Sequence, residues 1–111
     1  MFKKTITFTD FNGNQRTEDF YFHLSKPELA ELELSHNGGV STMIQRVVAE
    51  QDSKIIMSIF KDLICLAYGK KSDDGRTFEK SDAIVNGFLQ SNAYEVLFME
   101  IFTDADKAAI S

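Results

Sequence analysis

His23, His36 and Cys65 are the residues of this 111-residue chain best suited to ligate a metal or to act as base or nucleophile. The two histidines stand apart, His23 after an aromatic run and His36 beside Asn37-Gly38. A helix C-terminus is a favourable place for a histidine, whereas a metal site needs further ligands at ligand spacing. Cys65 is the single cysteine, which rules out an internal disulfide and a cysteine-based zinc site. Its neighbours Ile64, Leu66 and Ala67 are apolar, the setting of an inert thiol and not of an activated one.

The carboxylates and glycines lead no further. Glu28, Glu31 and Glu33 share one helical stretch, mostly as a solvated face. Asp73-Asp74-Gly75 lacks the alternating ligands and closing Glu of an EF-hand loop and reads as a turn. Gly38-Gly39 lacks the Lys-Ser/Thr partner of a phosphate loop. No Ser-His-Asp or Cys-His arrangement fits this order and spacing. The expectation is a protein with no catalytic residue, no metal and no cofactor, and therefore not an enzyme.

Composition points the same way. Ten of thirteen aromatics are Phe, with no Trp, which favours packing over polar readout. The net charge is −5 and the basic residues Lys3-Lys4, Arg46, Lys70-Lys71 and Arg76 are scattered, which argues against nucleic acid. No stretch has the length of a membrane span, and the alternating MFKKTITFTDF start is not a signal peptide. A cytosolic single domain, 1–111, is expected.

The elements follow from periodicity. Phe2, Ile6 and Phe8 alternate with Lys3, Thr5, Thr7 and Thr9, a strand with one apolar face; Lys4 breaks the pattern and belongs near an edge. Asn12-Gly13 is a turn, and a second strand from about Arg16 to Leu24 carries Phe20, Phe22 and Leu24 on one face. The two apolar sets share a face only if the loop is odd. A loop of Asn12-Gly13-Asn14 satisfies this and pairs Ile6 with Phe20 and Phe2 with Leu24.

Ser25-Lys26-Pro27-Glu28 is a capping box that opens a helix with Leu29, Leu32 and Leu34, ended by Asn37-Gly38-Gly39. A second helix is expected over Ser41–Glu50, and a third from a cap at Asp52 or Ser53 to about Tyr68, stopped by Gly69. Thr77 to Glu79 is extended. Ser81 caps a fourth helix, and Ser91 or Asn92 a fifth, with Thr103 restarting another in the tail. The fold class is α+β: an N-terminal antiparallel β-hairpin over 1–24, then a helical part over 25–111 with a bundle of about four to five α-helices.

The third and fifth helices carry more apolar residues than one core-facing stripe uses. They form either the middle of the core or an exposed groove or self-association face. The open edges of the hairpin are a second place where another chain can add.

The order of motifs resembles the tail assembly chaperones of long-tailed, siphovirus-type phages of Gram-positive bacteria. The resemblance rests on Lys3-Lys4-Thr5-Ile6-Thr7-Phe8-Thr9-Asp10-Phe11-Asn12-Gly13, Arg16-Thr17-Glu18-Asp19-Phe20-Tyr21-Phe22 and Leu24-Ser25-Lys26-Pro27-Glu28-Leu29. It continues through Asn37-Gly38-Gly39, Ile59-Phe60-Lys61, Ala67-Tyr68-Gly69-Lys70-Lys71-Ser72, Asp74-Gly75-Arg76 with Phe78, and Phe98-Met99-Glu100 with Thr103-Asp104-Ala105. It implies a non-enzymatic protein of the host cytoplasm that coats the apolar, helical tape measure protein and helps tail tube protein polymerise around it. It also implies absence from the mature virion, a homo-oligomer, and a longer frameshifted form of the same chain as a further partner. Longer members continue with another apolar stretch past the point at which this chain ends, Ser111, so a shorter product or a trimmed chain is implied. The client would meet Ile56, Phe60, Leu63, Phe98 and Phe102 on the third and fifth helices. The competing class is a structural head-tail or tail component retained in the virion.

Overall fold

The computed structural model describes residues 1–35, 45, 49 and 53–110. Apart from Gln45 and Ala49, which are helical, the expected helix over Ser41–Glu50 falls on residues outside these, as do the Asn37-Gly38-Gly39 stop, the cap at Asp52 and His36. The first two elements are β1 (Phe2–Thr9) and β2 (Gln15–Phe22), an antiparallel hairpin. Ile6, Phe8 and Phe22 are buried on its inner face, while Thr5, Thr7, Thr17 and Asp19 line the wet face. There Thr5 donates to Asp19 at 2.6 Å, and the Thr7 and Thr17 hydroxyls lie 2.9 Å apart.

The loop is odd, as parity requires, but the register is two residues away from the expected one. Ile6 faces Glu18 and not Phe20, and Phe2 faces Phe22 and not Leu24. Asp10 decides this. Its backbone N–H donates to the Asn14 carbonyl at 2.8 Å, and its own carbonyl accepts from Gly13 at 3.0 Å. Its carboxylate accepts from the N–H groups of Asn12 and Asn14, both at 2.9 Å, and from Arg16 Nε at 2.6 Å. Gly13 takes the left-handed conformation, φ +84°, so the turn is a type I turn with a glycine bulge over Phe11-Asn12-Gly13. These bonds outweigh the better apolar pairing of the other register. They also hold the Asp10 carboxyl below its usual range, the Arg16 hydrogen bond contributing most.

Helix α1 (Lys26–Ser35) starts on the expected box: Glu28 N–H donates to Ser25 Oγ at 3.2 Å, and Ser25 N–H to Glu28 Oε1 at 2.9 Å. Helix α2 (Ser53–Ala67) is followed without a loop by β3 (Tyr68–Lys71), and β4 (Phe78–Glu79) returns beside it. The region expected to be helical thus contains two strands. The sheet is four-stranded in the order β1-β2-β3-β4, with neighbours antiparallel. Gly69 is therefore not a helix terminator. It lies in β3 opposite Tyr21, where a Cβ would stand 2.5 Å from Phe78 Cε2 and 2.7 Å from the Glu79 carbonyl oxygen. The residue that resembles a C-cap is needed for close strand approach instead.

Helix α3 (Asp82–Leu89) is capped by Ser81, whose Oγ accepts from Ile84 N–H at 3.1 Å. Helix α4 (Asn92–Ile110) begins at Ser91, whose Oγ accepts from Tyr94 N–H. It does not restart at Thr103, because the Thr103 hydroxyl donates back to the Met99 carbonyl and leaves the helix continuous. α4 packs on β1, α2 on α4, and α3 on α4 and β3. Lys4 of the edge strand β1 reaches Glu100 at 2.9 Å, and Asn92 Nδ2 donates to the Thr9 carbonyl at 2.8 Å.

The core lies between the sheet and these helices: Ile6, Phe8, Phe22, Tyr68, Phe88, Ala93 and Leu97. Phe88 is its hub. Its ring stacks on Tyr68 at 4.3 Å and meets Phe20, Phe22 and Tyr94 at 5.3, 5.9 and 5.7 Å. Such pairs are worth about 0.5–1.5 kcal/mol each beyond their area burial. Burial pushes the Tyr68 hydroxyl pKa up.

Candidate functional site

On α2, Phe60, Leu63, Ile64 and Ala67 recur at helical spacing, and on α4 Leu97 and Ile101 do the same. The packing of α2 on α4 brings these two faces together near the open end of the hairpin, where the Phe2 and Phe22 rings meet across the strands, tilted, with centroids 6.2 Å apart. The result is an apolar hollow of about 220 Å³ lined by Phe2, Phe22, Phe60, Leu63, Ile64, Ala67, Leu97 and Ile101. Its floor is closed, since Phe22 and Leu97 are buried, and its rim is wet, with Phe2 61% and Phe60 42% exposed.

Of the five residues read from the sequence as client-binding, Phe60 and Leu63 line this hollow. Phe98 and Phe102 form a separate row about 100° around α4 from Leu97 and Ile101. Their rings stack at 6.4 Å, and Tyr94 meets Phe98 at 5.9 Å. Through Tyr94 and Phe88 this row runs from the core to the half-exposed Phe102. Ile56 is half-buried one helical turn before Phe60 and is not part of the lining. Phe2, Phe22, Leu97 and Ile101 were not among the expected site residues. The i, i+4 pair Leu97 and Ile101 was visible in the sequence, whereas Phe2 and Phe22 meet only in the register that Asp10 sets.

A polar node stands behind the hollow. Lys80 Nζ donates to the carbonyls of His23 at 2.6 Å and Leu66 at 2.8 Å, and to Glu28 Oε2 at 2.6 Å. It ties the end of the hairpin, the C-terminus of α2 and the start of α1 into one contact, with the ammonium at a favourable helix C-terminus. Beside it His23 N–H donates to the Ala67 carbonyl at 2.9 Å, and the His23 ring packs edge-on against Phe78. The Lys80 hydrogen bond, helped by that from Ser25 N–H, lowers the Glu28 carboxyl pKa to about 2.

The other residues singled out in the sequence have local roles. Asp74 accepts from Ser72 Oγ and from Arg76 N–H, closing the turn around Gly75, whose φ is +75°. Cys65 is a half-buried free thiol. Among the described residues no group of three or more His, Cys, Asp or Glu is placed to hold a metal ion, and no helix is long and apolar enough to cross a membrane.

A family model described as phage tail assembly chaperone matches residues 1–110. The chain belongs to that family. No curated protein and no solved structure matches it. For a tail assembly chaperone, whose partners are phage tail proteins, a hollow built from two helices and the mouth of a hairpin is the feature with the shape of a protein-binding site. It offers apolar surface without a polar group to specify a small ligand.

Proposed function

We propose that this tail assembly chaperone binds the tape measure protein of a siphovirus-type phage, keeps it soluble and promotes polymerisation of tail tube protein around it. The role is non-enzymatic, exercised in the host cytoplasm, and ends before the virion is complete. The observation that carries the reading is the hollow at Phe60 and Leu63. A helical client with an apolar face would fill it as helices fill grooves, with anchors one turn apart. The Phe98–Phe102 row, with Phe102 41% exposed, extends the contact along α4. The net charge of −5 helps keep the loaded complex in solution.

The test is co-expression with a tape measure fragment that is insoluble on its own. Phe60→Asp and Phe102→Asp are expected to stay folded by circular dichroism and to leave the fragment in the pellet. If both variants fold and still solubilise the fragment, the client surface lies elsewhere. Mass spectrometry of purified virions separates the chaperone from a structural tail component, since only the latter is found in the particle.

A further inference from the structure

We propose that a second hollow, under α3, docks an acidic polypeptide segment by one aromatic side chain. β3 pairs with β2 at Tyr21 and Phe22, near the mouth of the hairpin. Past that pair the two strands part. The slot between them shares Glu18, Phe20, Tyr68 and Lys70 with a hollow of about 380 Å³ that runs in beneath α3. Phe20, Tyr68 and Phe88 form its floor, and Ile84 and Gly87 its helical wall. It has no lining residue in common with the hollow at Phe60 and Leu63, and it does not depend on the client reading. Gly87 marks it as more than a gap in the packing. Glycine weakens a helix relative to alanine, yet neither backbone nor packing asks for it here. Gly87 lies within regular α3 without a positive φ, and a Cβ built on it would meet no atom within 4 Å. What the missing side chain leaves is room at the mouth of the hollow.

Charge selects the occupant. On the β2 side, Glu18 is engaged by Arg16 Nη1 at 3.6 Å, and Asp19 accepts from the Thr5 hydroxyl at 2.6 Å. On the β3 side, Lys70 is exposed and, among the described residues, forms no ion pair or side-chain hydrogen bond. The unmet charge at the hollow is therefore positive, although the chain as a whole carries −5. A carboxylate of the incoming segment would meet Lys70 while its ring lies on the aromatic floor. A hollow of this size is at the small end for a binding site and takes one ring with its flanking backbone, not the face of a helix. The segment that fits is one Phe or Tyr flanked by Asp or Glu.

Amide NMR shifts of the isotope-labelled full chain test this. Acetyl-Glu-Phe-Asp-amide is expected to give saturable shifts at Lys70, Ile84 and Gly87, with an affinity that falls as salt rises. Acetyl-Lys-Phe-Lys-amide keeps the ring and acetyl-Glu-Gly-Asp-amide keeps the charges; each is expected to bind at least about tenfold more weakly. Lys70→Glu is expected to reverse the preference between the two Phe peptides. Gly87→Leu is expected to raise the urea midpoint, because leucine is the better helix former, and to abolish the shifts at Lys70 and Ile84 by filling the mouth. Should Gly87→Leu fail to fold, Lys70→Glu decides, since its side chain stands in water. The proposal is overturned if Glu-Phe-Asp gives no saturable shift, if Lys-Phe-Lys or Glu-Gly-Asp binds as well, or if folded Gly87→Leu binds undiminished. It is also overturned if the same amides shift with protein concentration alone, which would make a second copy the occupant.

Discussion

Phe88 and Phe60 are the same residue type in opposite circumstances. Phe88 is 3% exposed and touches four aromatic rings; Phe60 is 42% exposed and stands on the rim of a hollow. The aromatic cluster around Phe88 closes on itself between sheet and helices. The α2–α4 face does not close, although its residues are as apolar. The same composition therefore serves two purposes, and exposure separates them: one region holds the fold together, and the other is left with surface that a partner can cover.

Point mutations test that contrast. Phe88→Ala opens a cavity at the hub of the rings and is expected to cost about 3–5 kcal/mol in urea unfolding. Lys80→Met keeps the stem but strands two carbonyls and a carboxylate, with an expected loss of about 1–3 kcal/mol by the same measurement. Phe60→Ala is expected to cost only about 1 kcal/mol, because much of that ring already lies in water, while binding of a tape measure fragment weakens. A loss as large as that of Phe88→Ala would mean that the hollow is core, and the contrast would fail.

The smallest effect is a pH dependence. Glu28 has a depressed pKa, so its bond to Lys80 stabilises the fold fully above the usual carboxylate range near 4.5. That stability is lost as pH falls through about 2, where Glu28 itself takes up a proton. Glu28→Gln is expected to flatten the stability profile between those values. Because the Glu28 side chain is more than a third exposed, solvent screening keeps the contribution modest.

Much of the fold was legible because it is local. The period-two strands, the Ser25 and Ser81 caps and the odd hairpin loop depend on neighbours in sequence and are present as read. The register was not legible, since it turns on one residue, Asp10, whose carboxylate holds Asn12, Asn14 and Arg16 while its backbone carbonyl holds Gly13. Strand β3 was hidden because Gly69 after an apolar helix is also what a helix terminator looks like; only the contact with Phe78 tells the two apart. At the candidate site, Phe60 and Leu63 followed from helical spacing. Phe2 and Lys80 did not, because each joins segments far apart in the chain.

The junction between Ala67 and Tyr68 sets a rule of phase. A helix turns about 100° per residue and a strand alternates sides. With no loop between α2 and β3, those two periods are locked at a single peptide bond. An inserted residue there must either swing the Phe60–Leu63 face away from α4 or point Tyr68 out of the core. At this joint the rotation of the Phe60–Leu63 face and the facing of the core tyrosine are one setting.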